Sequence, residues 1–110
     1  MNNLNSILIE GELETDPGLS YTAKGDAVCK FSVACNRYYK QNDELQEEVS
    51  FFDVTTRNRL AELCAEYLKK GRGVRVVGRL KQERFGKKSS VHIEAEHVEF
   101  KPQVLKEARP

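Results

Sequence analysis

The chain has 110 residues, enough for one domain around a single core. Its 18 Lys and Arg against 17 Asp and Glu leave a net charge of +1, so charge as a whole argues only weakly for a polyanionic partner, and hydrophobic residues at 39% argue against a disordered chain. No apolar run approaches the roughly 20 residues that cross a bilayer, and Met1 to Asn5 is too polar to open a signal peptide, so a soluble cytoplasmic protein without membrane contacts is expected.

Ser6 to Leu13 alternates as a half-buried strand, with Ile7, Ile9, Gly11 and Leu13 on one side and Glu10 and Glu12 on the other. Gly11 within that run predicts the bend of a barrel corner. Asp16-Pro17-Gly18 stops the strand and leads into a loop around Tyr21 to Gly25. A second strand, Ala27 to Asn36, places Cys29, Phe31, Val33 and Cys35 together. The Asn42-Asp43 turn signal then predicts a long hairpin with a mobile tip, leading into a third strand at Val49 to Thr56. There Phe52, Val54 and Thr56 share the inward parity, while Val49, Phe51 and Asp53 share the outward one.

Asn58 reads as a helix N-cap, and Leu60, Leu63, Cys64, Tyr67 and Leu68 fall on one helical face, which makes Tyr67 a core residue. Glu62 and Glu66 lie early and Lys69 and Lys70 late, complementing the helix dipole, and Gly71 supplies the positive-φ stop. The fourth strand runs from Gly73 to Phe85, with Val74, Val76, Gly78 and Leu80 inward and Arg75, Val77, Arg79, Lys81 and Phe85 outward. Gly86-Lys87-Lys88 turns the chain into a fifth strand, Ser90 to Phe100. Here Val91, Ile93 and Ala95 alternate with His92, Glu94 and Glu96, and the changed parity of Val98 and Phe100 predicts a bulge near His97.

The elements amount to an all-β fold with one helix, a five-stranded Greek-key barrel with the helix between its third and fourth strands. That is the plan of the OB-fold, whose open face binds oligonucleotides. Residues 1–101 form this domain, and 102–110 are expected to be a flexible C-terminal tail. The three cysteines, Cys29, Cys35 and Cys64, read as reduced core hydrophobes. Neither they nor His92 and His97 have a zinc-module spacing, so no metal or other cofactor is expected.

A surface for single-stranded nucleic acid needs flat rings for stacking and cations for phosphates. Tyr39, Phe51 and Phe85 are the candidate rings, each beside basic residues. From Lys69 to Lys88 nine cations (Lys69, Lys70, Arg72, Arg75, Arg79, Lys81, Arg84, Lys87 and Lys88) accompany one acid, Glu83. The phosphate-contacting candidates are Arg37, Arg57, Arg59, Lys70, Arg72, Arg79, Lys81, Arg84 and Lys87. The plainer reading of Phe51 and Phe85 is cover for a subunit contact or the barrel rim, and that of the cations a solvated face. No nucleophile-histidine pair, phosphate-cradling glycine loop or magnesium-binding carboxylate cluster is present, so no enzymatic activity is expected.

These residues resemble the bacterial single-stranded DNA-binding proteins over nearly the whole chain. The similarity lies in Gly11-Glu12-Leu13, Asp16-Pro17, Tyr21-Thr22, Gly25, Ala27-Val28, Phe31 and Ala34-x-Asn36-Arg37. It continues through Leu60-Ala61-Glu62, Tyr67-Leu68-Lys69-Lys70-Gly71, Val74 and Gly78-Arg79-Leu80. The resemblance implies an OB-fold that wraps single-stranded DNA without base specificity during replication, recombination and repair, as a homotetramer paired through its first strands. It places the family's stacking aromatics on Tyr39, Phe51 and Phe85 and its backbone-contacting cations on Arg59, Lys70, Lys81 and Arg84. The chain departs from the family in having no Trp, Arg57 where a further aromatic is common and Phe52 for a frequent histidine. It also ends at Arg109-Pro110 without an acidic tail, so recruitment of replication or repair enzymes is not expected. Two rivals stand beside this reading: a dimeric primosome-type OB protein, and an OB module that binds an acidic protein.

Overall fold

The computed structural model describes residues 1–102, which form six strands and one helix. In chain order these are β1 (Ile7–Leu13), β2 (Gly18–Tyr21), β3 (Ala27–Gln41), β4 (Glu44–Arg57), α1 (Asn58–Tyr67), β5 (Gly73–Phe85) and β6 (Lys88–Phe100). Hydrogen bonding runs β1-β5-β6-β4-β3-β2, and a further β1–β3 pairing closes five of the strands into a barrel, with β2 added outside on β3. This is the expected five-stranded arrangement, with α1 between the third and fourth barrel strands. Of the tail expected over 102–110, residues 103–110 lie outside the described residues.

β1 serves two partners in turn. Ile7 to Glu12 pair antiparallel with Gly78 to Gly73 of β5, and Glu12 and Leu13 pair with Ala34 and Val33 of β3. The change of partner happens at Glu12, just after Gly11, and at Gly11 a Cβ would lie 2.9 Å from both the Ala34 carbonyl carbon and Val33 Cγ1 and closer still to the Ala34 carbonyl oxygen. Glycine there is a requirement of close approach. The far side of the barrel is closed by the parallel contact of β4 with β6, Val54 opposite Ile93 and Thr55 opposite Glu94.

Alternating residues fill the interior. Leu13, Phe31, Val33, Val54, Val74, Val76 and Ile93 are buried, with Ala61, Cys64 and Leu68 capping them from α1 and the segment after it. Each large aliphatic or aromatic side chain so buried contributes about 1.5 to 3 kcal/mol. Thr56, fully buried, donates its hydroxyl to the Cys29 carbonyl at 3.0 Å, so its polar atom costs little. Cys29 and Cys64 are unbridged and buried, Cys35 partly so, and burial pushes the Cys64 thiol up to about 12, which keeps it an unreactive hydrophobe.

Several local expectations need correction. Gly18–Tyr21 is a strand rather than loop, paired with Lys30 to Ala27, with its four residues exposed, and too short to show periodicity. The hairpin strands β3 and β4 run on to a two-residue turn at Asn42 and Asp43, both at positive φ (54° and 65°), so they project beyond the barrel. Residues of inward parity near the projecting ends are therefore not core: Phe52 is 38% exposed, Leu80 46% and Val91 58%.

The helix also differs from its reading. Asn58 is not the N-cap but the first helical residue, at φ 59°, a left-handed conformation that Asn tolerates; Arg57 precedes it, without a side-chain cap. The helix stops at Tyr67, before Lys69 and Lys70, and no acid lies in its first turn or base in its last, so the dipole is not complemented as expected. Tyr67 is 54% exposed because its position falls off the face that Ala61, Cys64 and Leu68 bury. Gly71 does take positive φ (90°), in the connection to β5. The predicted bulge is present: Val77 pairs with His97 but Gly78 with Ala95, leaving Glu96 as the extra residue.

Candidate nucleic-acid interface

Strict alternation along β4 puts Phe51, Asp53, Thr55 and Arg57 on the outer face of the barrel wall, and that along β5 puts Lys81, Glu83 and Phe85 there too. Register brings β3 and β6 into the same surface, Ala34 opposite Phe51, Ser32 opposite Asp53, Lys30 opposite Thr55, and His92 opposite Lys81. Between the two hairpins lies a groove of about 410 Å³ whose lining includes Lys30, Ser32, Asp53, Thr55, Glu83, Phe85, Ser90 and His92. Phe51 and Phe85 are 56% and 67% exposed, so neither ring serves the core.

A polar cluster forms the floor beside this groove. Glu94 is only 5% exposed, although its parity points outward. It is covered by what it binds: Arg57 donates Nε and Nη2 to its two oxygens at 3.0 and 2.8 Å, and Lys81 Nζ lies 4.0 Å away. His92 stands between two carboxylates, Nε2 at 2.9 Å from Glu94 and Nδ1 at 3.7 Å from Glu83. The Arg57 hydrogen bonds, with His92 and Lys81 adding to them, hold the Glu94 carboxyl down at about 2 despite its burial. Glu94 thus remains charged and fixes the guanidinium plane of Arg57.

The expected site residues are distributed unevenly over this geometry. Phe51, Phe85, Arg57 and Lys81 share the outer face. Tyr39 does not: in the β3–β4 ribbon it has the parity of Val33 and Phe52, opposite to Phe51, and Arg37 lies 4.9 Å over its ring. Tyr38, 60% exposed, has the parity of Phe51 instead. Arg84 is on the other side of β5 from Lys81 and Phe85, and Lys87 sits in the turn between β5 and β6.

Many of the cations are also engaged. Arg37 meets Glu48 at 3.8 Å, Arg59 meets Glu62 at 3.6 Å, and Arg79 meets Glu96 at 3.9 Å. Arg75 pairs with Glu10 and Glu99 at 2.8 and 3.4 Å. Arg72 donates Nε to the Lys101 carbonyl at 2.9 Å and lies 6.0 Å from the Phe100 ring, while the Lys70 amide donates to Asp16 Oδ1 at 2.8 Å. The sequence run of nine cations against one acid is therefore not a bare basic strip, because Glu10, Glu94, Glu96 and Glu99 arrive from neighbouring strands. Exposed pairs of this kind are weak, and their cations are available to exchange partners.

Lys30, Asp53, Glu83 and His92 line the groove and Glu94 lies beside it, though none was among the expected residues. The outward parity of Asp53 beside Phe51 was a usable signal for one of them; the rest depend on strand pairing across the sheet. No group of three or more His, Cys, Asp or Glu among the described residues is arranged to hold a metal ion, and no helix there is long and apolar enough to cross a membrane.

Comparison with known proteins adds to this geometry. Residues 4–101 match the model of the single-strand binding protein family. The chain is similar to single-stranded DNA-binding proteins of Treponema pallidum (40% identical over 109 residues, 96% of this chain and 62% of that protein) and Aquifex aeolicus (47% over 100 residues, 86% and 68%). It thus spans under two thirds of the Treponema protein's length. Among solved structures, a Plasmodium falciparum SSB in complex with ssDNA superposes with a TM-score of 0.82 at 24% identity, covering 93% of this chain and 98% of that one. A deletion mutant of the single-stranded DNA binding protein from Thermus aquaticus superposes with a TM-score of 0.81 at 29% identity, covering 90% and 51%.

Proposed function

This chain belongs to the single-strand binding protein family, and on that premise we propose that it coats and protects single-stranded DNA without requiring a particular sequence and carries out no chemistry on it. The observation that carries the reading is the display of two exposed rings, Phe51 and Phe85, on the same outer face as Lys81 and Lys30, along a groove. Bases stack on the rings, each contributing about 1 to 3 kcal/mol with tolerance for any sequence. Phosphates draw Lys81 away from its 4.0 Å contact with Glu94, Arg59, Arg79 and Lys87 receive the strand where it leaves the groove, and Arg37 and Arg84, on the reverse faces of their strands, add only to the general positive field. On the hairpin arm Tyr38 extends the row begun by Phe51, with Tyr39 on the reverse side of the ribbon. Arg57, anchored to Glu94, offers a fixed guanidinium plane, and Arg72 and Lys70 contribute charge from the segment after α1.

A homotetramer is the assembly the family implies. The edge of β1 opposite β5 supports it, because Ile7 to Gly11 pair on one side only and Leu8 is 64% exposed there. Service in replication, recombination and repair, in the bacterial cytoplasm, follows from the same family reading.

The test is titration of oligo-dT with the full chain at several salt concentrations, with Phe51→Ala and Phe85→Ala alongside. Affinity should fall by about 0.7 log units per log unit of salt for each phosphate neutralised, and each variant should bind at least about fivefold more weakly with an unchanged Tm. A salt-independent affinity, or variants that bind as the parent does, would refute the proposal.

A further inference from the structure

The groove beside Phe85 contains a charge that repels the backbone of its proposed ligand. Asp53 lines it, on the outer face of β4 and opposite Ser32 of β3. Glu94 is held by Arg57 and Glu83 lies 3.7 Å from His92, whereas Asp53 takes part in no ion pair among the described residues. A phosphate entering here would meet this carboxylate, while Lys81 offers a cation on the neighbouring strand. Lys30, which also lines the groove, and Lys81 draw the phosphates to themselves, and the place beside the Asp53 carboxylate is left to a base.

A volume of about 410 Å³ accommodates one base with some water, and the exposed Phe85 ring supplies a wall for it to lie on. A base stacked there turns its hydrogen-bonding edge to Ser32, Asp53 and Ser90. An ionised carboxylate only accepts hydrogen bonds. Cytosine and adenine carry an exocyclic amino donor, cytosine N4 being the group that Asp and Glu recognise, whereas thymine presents the O4 acceptor at that position and keeps only its ring N3–H as a donor. We propose that Asp53 accepts a hydrogen bond from the amino group of a base stacked on Phe85, giving one position on the bound strand a preference for an amino-bearing base over thymine. This rests on the single-strand reading above.

The probes are oligo-dC and oligo-dT of about 16 nucleotides, the upper end of an OB-fold site, at one fixed salt concentration and mildly alkaline pH. The full chain and Asp53→Ala are compared. Asp53 is exposed, so the substitution leaves the core intact, and an unchanged Tm verifies this. In the variant the ratio of oligo-dC to oligo-dT affinity should fall about 3- to 10-fold, the worth of one net hydrogen bond. An equal change for both oligonucleotides, or none, overturns the proposal, because Asp53 would then act as a general repulsive charge or not at all. If the parent binds neither, the single-strand reading itself fails and the assignment of Asp53 falls with it.

Discussion

Glu94→Gln is the most informative single change to the barrel wall, because it keeps the side chain's shape while deleting a charge on which Arg57, Lys81 and His92 converge. A carboxyl held at about 2 in place of 4.5 corresponds, at about 1.36 kcal/mol per tenfold step in proton affinity, to a ceiling of about 3 kcal/mol. The Arg57 side chain is 41% exposed, and solvent screening of the pair brings the expected loss at neutral pH to about 2 kcal/mol. For a domain of this size that lowers Tm by roughly 6 to 10 °C. The folded-state value is depressed, so the stabilisation is complete above the ordinary carboxylate range and is lost as pH falls from about 4.5 through about 2. Urea unfolding at fixed protomer concentration should show a gap between parent and variant that is full at neutral pH and closes over that acidic window. Equal stability at neutral pH, or a gap that persists in strong acid, would refute the assignment of Glu94 as the charged anchor.

Gly11→Ala should cost about 3 kcal/mol or more, because the added methyl meets the Ala34 backbone where β1 changes partner; chemical denaturation measures it, and a loss under about 1 kcal/mol would show that the corner can open. Tyr38→Ala should weaken oligo-dT binding at least about threefold, while Tyr39→Ala, which removes a ring under Arg37 on the reverse of the ribbon, should change it less than twofold. Fluorescence titration ranks the two, and the opposite order would mean that the bound strand wraps the other side of the arm.

Much of the barrel was readable because alternation is a local signal. The parities of β1, β4 and β5 placed Phe51 and Phe85 outward, Gly11 announced the corner, and the changed phase after Ala95 announced the bulge that leaves Glu96 unpaired. The same rule misplaced Phe52, Leu80 and Val91, since parity says which side a residue faces and not whether the strand has already left the barrel. Tyr39 was chosen over Tyr38 from resemblance, and the unbroken register of the hairpin arm reverses their sides relative to Phe51.

Electrostatics was the least legible part. Counting charges along Lys69 to Lys88 suggested a bare cationic strip, because the acids that meet Arg75, Arg79 and Lys81 come from β1 and β6, joined to β5 by pairing across the sheet. The Arg57–Glu94 pair spans 37 positions and exists only because β4 and β6 run side by side in parallel. The helix erred for a related reason: its ends are set by where α1 docks on the barrel floor, so a left-handed Asn58 and an exposed Tyr67 override capping and dipole preferences.

The handover of β1 from β5 to β3 has a consequence for how the molecule comes into being. The amino-terminal strand finds its main partner only in the segment that follows the helix, so a nascent chain halted before Gly73 exposes Ile7 and Ile9 with nothing to dock against. Such ring closure from the chain's opposite halves belongs to the slow, non-local class of assembly. Amino-terminal fragments ending within α1 should accordingly remain unstructured until a separate peptide covering β5 and β6 is supplied.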